Sequence, residues 1–128
     1  MQSIYIAGPL TTSGGREENR VAAEEAAAHY LQLGCAVFCP HLYDYLVLNQ
    51  GVDLSHADWM RVCLYWLDRC DIILFLPGWE NSEGAVQEYR RSVELGKVII
   101  FWDSYCQAKE AVREAMLQGG GVGGEKNT

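Results

Sequence analysis

The stretch Trp79-Glu80-Asn81-Ser82-Glu83-Gly84-Ala85-Val86-Gln87-Glu88 puts side chains suited to chemistry where backbone donors are also free. It follows an apolar run and opens a helix, so the N–H groups near Ser82, Gly84 and Ala85 lack partners within the helix and can hold an anion. Gly84 lets a ligand approach the backbone. Glu88, four residues on, stands about one turn into the helix, on the side facing the strand ends. A carboxylate there is half-buried beside an anion site, although a solvated helix glutamate fits the same spacing equally well. Tyr5, just ahead of Gly8-Pro9, is a second candidate, and on its own it reads as a core or strand-edge tyrosine. The loop Thr11-Thr12-Ser13-Gly14-Gly15 offers hydroxyl and backbone donors, or simply a flexible turn. Cys35, Cys39 and His41 lie close enough in sequence to suggest a metal site, but no second ligand pair follows. Buried thiols acting as small hydrophobes are the default, and no metal or cofactor is assigned.

These residues need elements to hold them. Ser3-Ile4-Tyr5-Ile6-Ala7 is β-branched and aromatic and stops at Gly8-Pro9, which predicts a first strand. Residues 16 to 33 place Ala22, Ala26, Tyr30 and Leu33 at helical spacing, with Gly34 closing the helix. Cys35-Ala36-Val37-Phe38-Cys39 reads as a second strand ending at Pro40. The stretch from His41 to Ser55 has no sustained period and reads as a long loop. Met60, Leu64 and Leu67 mark a helix from His56 to Arg69, with Trp59, Cys63 and Trp66 beside the stripe. Ile72-Ile73-Leu74-Phe75-Leu76 and Val98-Ile99-Ile100-Phe101-Trp102 are continuously apolar, as strands covered on both faces are. Between them a helix capped by Asn81 or Ser82 runs to Leu95 and ends at Gly96. A last helix is expected over Tyr105 to Leu117.

Strand and helix alternate four times, which predicts a small doubly wound α/β domain with a parallel sheet and helices on both faces. This is a flavodoxin-like or Rossmann-like three-layer α/β/α arrangement, expected over residues 1 to 117, with a flexible glycine-rich tail at 118 to 128. In such sheets ligands bind beyond the carboxyl ends of the strands, where strand order reverses. The loops after Ala7, Cys39 and Leu76 should therefore converge.

Composition limits what the domain meets. At 128 residues, 49% apolar and 21% charged, the chain supports one buried core. Asp and Glu outnumber Lys and Arg by 17 to 10, giving a formal charge of −7, which argues against binding a nucleic-acid polymer. No apolar run reaches the ~20 residues of a membrane span, and Met1-Gln2-Ser3 lacks the features of a signal peptide, so a cytoplasmic protein is expected. The odd set of Cys35, Cys39, Cys63, Cys70 and Cys106 has no C-x-x-C pair and points to free thiols.

In combination the motifs resemble a known family. Tyr5-Ile6-Ala7-Gly8-Pro9, Gly14-Gly15-Arg16-Glu17, Trp66-Leu67 ahead of Cys70-Asp71, Ser82-x-Gly84-x-x-x-Glu88 and Leu95-Gly96 are similar to the nucleoside 2-deoxyribosyltransferase superfamily. Within it, Leu76-Pro77-Gly78-Trp79 followed by Ser82, Gly84 and Ala85 resembles the deoxynucleoside 5′-monophosphate N-glycosidases and the related DUF4406 branch of bacterial and phage proteins. The resemblance implies that Glu88 is the nucleophile that attacks C1′ of the sugar, forming a glycosyl-enzyme. It implies that Tyr5 orients that carboxylate. Gly8, Pro9, Thr11, Ser13, Asp44, Cys63, Ser82 and Gly84 become substrate-binding candidates. Ser82 matches a serine of the monophosphate hydrolases, where the transferases carry an aspartate, and an uncharged residue at a helix start tolerates a phosphate.

Two departures stand out. The family has an aspartate that assists departure of the base where this chain has Cys63, and a thiol is a poor substitute. Asp44, Asp53 or Asp58 are the residues that could deputise. The monophosphate hydrolases also take a phosphate-binding serine from a neighbouring subunit, for which Ser104 is only a loose match. The resemblance thus implies a nucleoside or nucleoside monophosphate as ligand and a homodimer or larger assembly. The competing readings are a nucleotide-binding module that has lost catalysis and an NAD-cleaving enzyme of TIR type.

Overall fold

The computed structural model describes residues 1–12 and 14–102. Ser13, Ser104, Cys106, the helix expected over Tyr105 to Leu117 and the tail at 118 to 128 lie outside the described residues. Four strands, β1 (Ser3–Ala7), β2 (Ala36–Phe38), β3 (Ile72–Phe75) and β4 (Val98–Phe101), form one parallel sheet in the order β2-β1-β3-β4. The chain moves outward from β1 to β2 on one side and from β3 to β4 on the other, so strand order reverses between β1 and β3. Their pairing sets Tyr5 beside Phe38 and Ile73, and Ala7 beside Phe75.

The two faces of the sheet are filled separately, because alternate side chains of a strand point opposite ways. Ile4, Ile6 and Leu74 pack against Ala23, Ala26, Ala27 and Tyr30 of α1 (Arg16–Gln32). Tyr5, Ala7, Ile73 and Phe75 pack on the other side against Cys63 and Leu67 of α3 (His56–Arg69), with Tyr89 of α4 (Glu83–Glu94) alongside. This is the three-layer α/β/α arrangement expected. Ser82 caps α4, its hydroxyl oxygen accepting the Ala85 N–H at 3.2 Å, and Gly96 follows the helix in a left-handed conformation, φ 68°.

Two expectations need correction. The inward stripe of α1 is not Ala22, Ala26, Tyr30 and Leu33: Ala22 and Leu33 are exposed, and Ala23, Ala26, Ala27 and Tyr30 face the sheet, with Asn19 buried against the loop after β1. An alanine-rich helix offers several stripes of equal apolarity, so spacing alone leaves its rotation open. The second correction is larger. The expected loop after Cys39 begins with α2 (Pro40–Asn49). Pro40 suits a first helical position, needing no N–H partner and having its φ already set. The helix escaped notice because its pattern is inverted: His41 and Asp44 are buried, while Leu42, Tyr43, Tyr45, Leu46 and Leu48 are exposed. No described helix is long and apolar enough to cross a membrane.

Candidate functional site

A cavity of about 570 Å³ opens at the carboxyl ends of β1 and β3, where strand order reverses. Its walls come from the loop after β1, from α2, from the start of α3 and from the first turns of α4. Gly8 begins the first wall, and its lack of a side chain is a packing requirement: a Cβ there would stand 2.8 Å from Cβ of Leu76.

Glu88 sits on the inner side of α4 and lines this cavity while being only 6% exposed. The Tyr5 hydroxyl donates a hydrogen bond to its Oε2. Burial pushes the Glu88 carboxyl up to about 8, against the downward pull of the Tyr5 hydrogen bond. Tyr5 is fully buried behind the carboxylate and is not part of the cavity wall, so its contact with the site is the hydrogen bond to Glu88. Burial and then the neighbouring Glu88 and Cys63 hold its phenol well above the ordinary range. Cys63, buried on α3, lines the cavity beside this pair, and burial first, then Glu88, pushes its thiol up to about 12.

Of the other residues singled out in the sequence, Gly8, Thr11, Ser82, Gly84 and Asp44 line the cavity. Gly84 has a second reason to be glycine, because a Cβ would come within 3.2 Å of Met60 Sδ. Pro9 does not line the cavity; its carbonyl accepts a hydrogen bond from His41 Nε2 at 2.9 Å. Asp53 lines the wall, whereas Asp58 lies away from it, its carboxylate 3.3 Å from Nη1 of Arg61. The trio Cys35, Cys39 and His41 is not assembled into a metal-binding cluster among the described residues.

The structure adds residues that the sequence did not mark for this site. His41 is buried, with Nε2 turned to Pro9, and burial pushes its imidazole down, so the neutral form is favoured. Arg16, at the start of α1, donates from Nε to Oδ2 of Asp44 at 2.8 Å. Asn19 donates to the carbonyls of Leu10 and Thr12 at 3.0 and 2.8 Å. The bonds from His41 and Asn19 hold the loop from Pro9 to Thr12 against α2 and α1, and the Arg16–Asp44 pair ties those two helices together, which fixes one wall of the cavity before any ligand arrives. Trp59 and Met60 of α3 complete the opposite side. Arg16 belonged to the Gly-Gly-Arg-Glu motif, which was a usable signal. His41 and Asp44 at helical spacing were another, hidden by the inverted pattern of α2.

The family model described as "Domain of unknown function (DUF4406)" matches residues 2–101. No curated protein matches the chain significantly. Five chains of solved structures match, among them a structure titled "2-desoxiribosyltransferase from Leishmania mexicana" at 19% identity and a TM-score of 0.53. That likeness covers 80% of this chain and spans 64% of the length of the other, and it shows a shared fold.

Proposed function

The chain belongs to the DUF4406 family and has a deoxyribosyltransferase-like fold, and from that premise we propose that it hydrolyses or transfers the N-glycosidic bond of nucleosides or nucleoside 5′-monophosphates. One observation carries the reading: a buried glutamate lines the cavity at the switch point of the sheet, its carboxylate held by a tyrosine hydroxyl from the neighbouring strand. Cleavage develops positive charge at C1′, and a carboxylate placed under that carbon forms a glycosyl-enzyme that water or a second base resolves. Glu88 is the nucleophile and Tyr5 positions it. Ser82, Gly84, Gly8 and Thr11 contact the sugar or its 5′ substituent, and the working unit is a homodimer.

The experiment is incubation with a panel of nucleosides and 5′-monophosphates, read by chromatography for free base. Glu88→Gln keeps the shape and removes the nucleophile, so ligand binding should survive while base release falls by about three orders of magnitude or more. If wild type and Glu88→Gln bind nucleotides but release base equally slowly, the protein is a binding module and the enzymatic reading is wrong.

A further inference from the structure

The groups around Glu88 decide what a base must do to leave. Glu88 attacks C1′ and the base leaves on the opposite face, so the groups nearest the carboxylate, Tyr5 and Cys63, do not supply its proton readily. The Tyr5 hydroxyl is already committed to Glu88. The Cys63 thiol, buried and pushed up to about 12, is far too weak an acid. Other titratable groups in the wall stand off or are engaged. His56 is seven residues before Cys63 on α3, two turns or about 10 Å along the axis, Asp53 precedes that helix altogether, and Glu83 opens α4 five residues before Glu88, about 7.5 Å along the axis. Asp44 is ion-paired with Arg16. His41 already donates from Nε2 to Pro9, and its Nδ1 is a buried lone pair with no donor among the described residues.

The same wall is electronegative. Asp53, Glu83 and, when ionised, Glu88 line it, while Asp44 is balanced by Arg16, whose guanidinium is the only one in this wall among the described residues. The indole of Trp59 adds an aromatic face of the kind that attracts cations.

We propose that this site acts on N-glycosides whose base already carries a positive charge, such as pyridinium or N-alkylated purine nucleosides, in preference to neutral nucleosides. The inference rests on Glu88 as the nucleophile, as proposed above. The C1′–N bond breaks with its electron pair passing to the ring nitrogen, which cancels the positive charge, so the base leaves neutral and needs no proton. An oxygen of the Glu88 carboxylate forms the new bond to C1′. Water then attacks C1′, the bond to Glu88 breaks with its electron pair returning to the carboxylate, and the surplus proton of the water passes to solvent. The cation also prepares the nucleophile, because a positive charge beside a buried carboxyl favours its ionised form. A neutral nucleoside gives neither help.

Nicotinamide riboside and 7-methylguanosine are the cationic probes, with dihydronicotinamide riboside and guanosine as neutral counterparts. Calorimetry on Glu88→Gln, which does not turn over, should find the cationic probes bound about tenfold more tightly. Chromatography on the wild type should find them cleaved about a hundredfold faster, relative to each probe's spontaneous rate, the usual worth of a missing general acid. Cys63→Asp restores an acid, so the ratio of neutral to cationic turnover should rise about tenfold or more. Equal affinities, or neutral nucleosides cleaved as well as cationic ones by the wild type, overturn this inference and leave the glycosidase reading intact. No cleavage of any probe overturns this inference, and the glycosidase reading falls with it only if the panel of nucleosides and 5′-monophosphates is also left uncleaved.

Discussion

Tyr5 and Glu88 are separated by 83 positions in the chain and meet in one hydrogen bond, and the two sides of that contact pull the carboxyl in opposite directions. Burial favours the protonated form of Glu88, and the Tyr5 hydroxyl favours the charged one; burial prevails, at about 8 against an ordinary 4.5. Because the folded protein binds this proton more tightly than the unfolded chain, Glu88 leaves stability at its full value below about pH 4.5. Stability then falls as pH rises toward about 8, above which both states are ionised and the loss is constant. The loss is on the order of a few kcal/mol. Glu88→Gln removes it, so denaturation midpoints should decline across that window in the wild type and stay flatter in the variant, with Glu88→Gln the more stable above pH 8. Tyr5→Phe withdraws the hydrogen bond that favours the charged form of Glu88, the proposed nucleophile. Turnover should fall by about 10-fold to 100-fold, the worth of a hydrogen bond to a charged group, and the alkaline shift of its pH–rate profile distinguishes this from a packing defect. Both residues were legible as a motif, Tyr5 before Gly8-Pro9 and Glu88 after Ser82 and Gly84. The Arg16–Asp44 pair was not, since nothing in local spacing links residues 28 apart on two helices.

At the scale of elements, the apolar strands and the helices with an inward apolar stripe were readable within a residue or two. β1 has the limits that its β-branched and aromatic run before Gly8-Pro9 predicted, and α3 those that the Met60, Leu64 and Leu67 stripe predicted. α2 was missed because hydrophobic periodicity assumes that apolar residues face inward, and here the inward residues are His41 and Asp44. That inversion has a cause in the site, where His41 fastens the start of the β1–α1 loop and Asp44 fastens its end through Arg16. The β1–β3 crossing is the other place where an element is fixed by the site. Gly8 leaves β1 against Leu76 at the end of β3, with no space for a methyl group. Gly8→Ala should destabilise by about 1–3 kcal/mol through overpacking, measured by chemical denaturation, and should weaken ligand binding as well because Gly8 begins the cavity wall. A loss of binding with no change in denaturation midpoint would count against the packing account.

The whole molecule carries its exposed apolar surface unevenly. Tyr43 of α2 and Trp66 of α3 both pack on the Phe38 ring, at 5.9 and 5.3 Å between centroids, and Tyr65 meets Trp66 edge-on, so these rings form one patch. Trp66 is 40% exposed and Tyr65 50%, while Leu42 and Leu46 add exposed apolar area on α2. A patch of this kind on a small domain marks an interface more often than an accident of composition. Its neighbourhood with α2 and α3, which wall the cavity, suits pairing with a second copy, the assembly proposed above. The opposing force is the formal charge of −7 on each copy, which repels at long range and is screened by salt. Association should therefore tighten as ionic strength rises, the reverse of what an ion-paired interface would do. Trp66→Asp places a charge where the patch would be desolvated, at a cost of a few kcal/mol, and should shift the dimer to monomer at micromolar concentration. Sedimentation velocity of wild type and Trp66→Asp at low and high salt reads both effects, and a wild type that sediments as a monomer at every salt concentration would remove the dimer from the account.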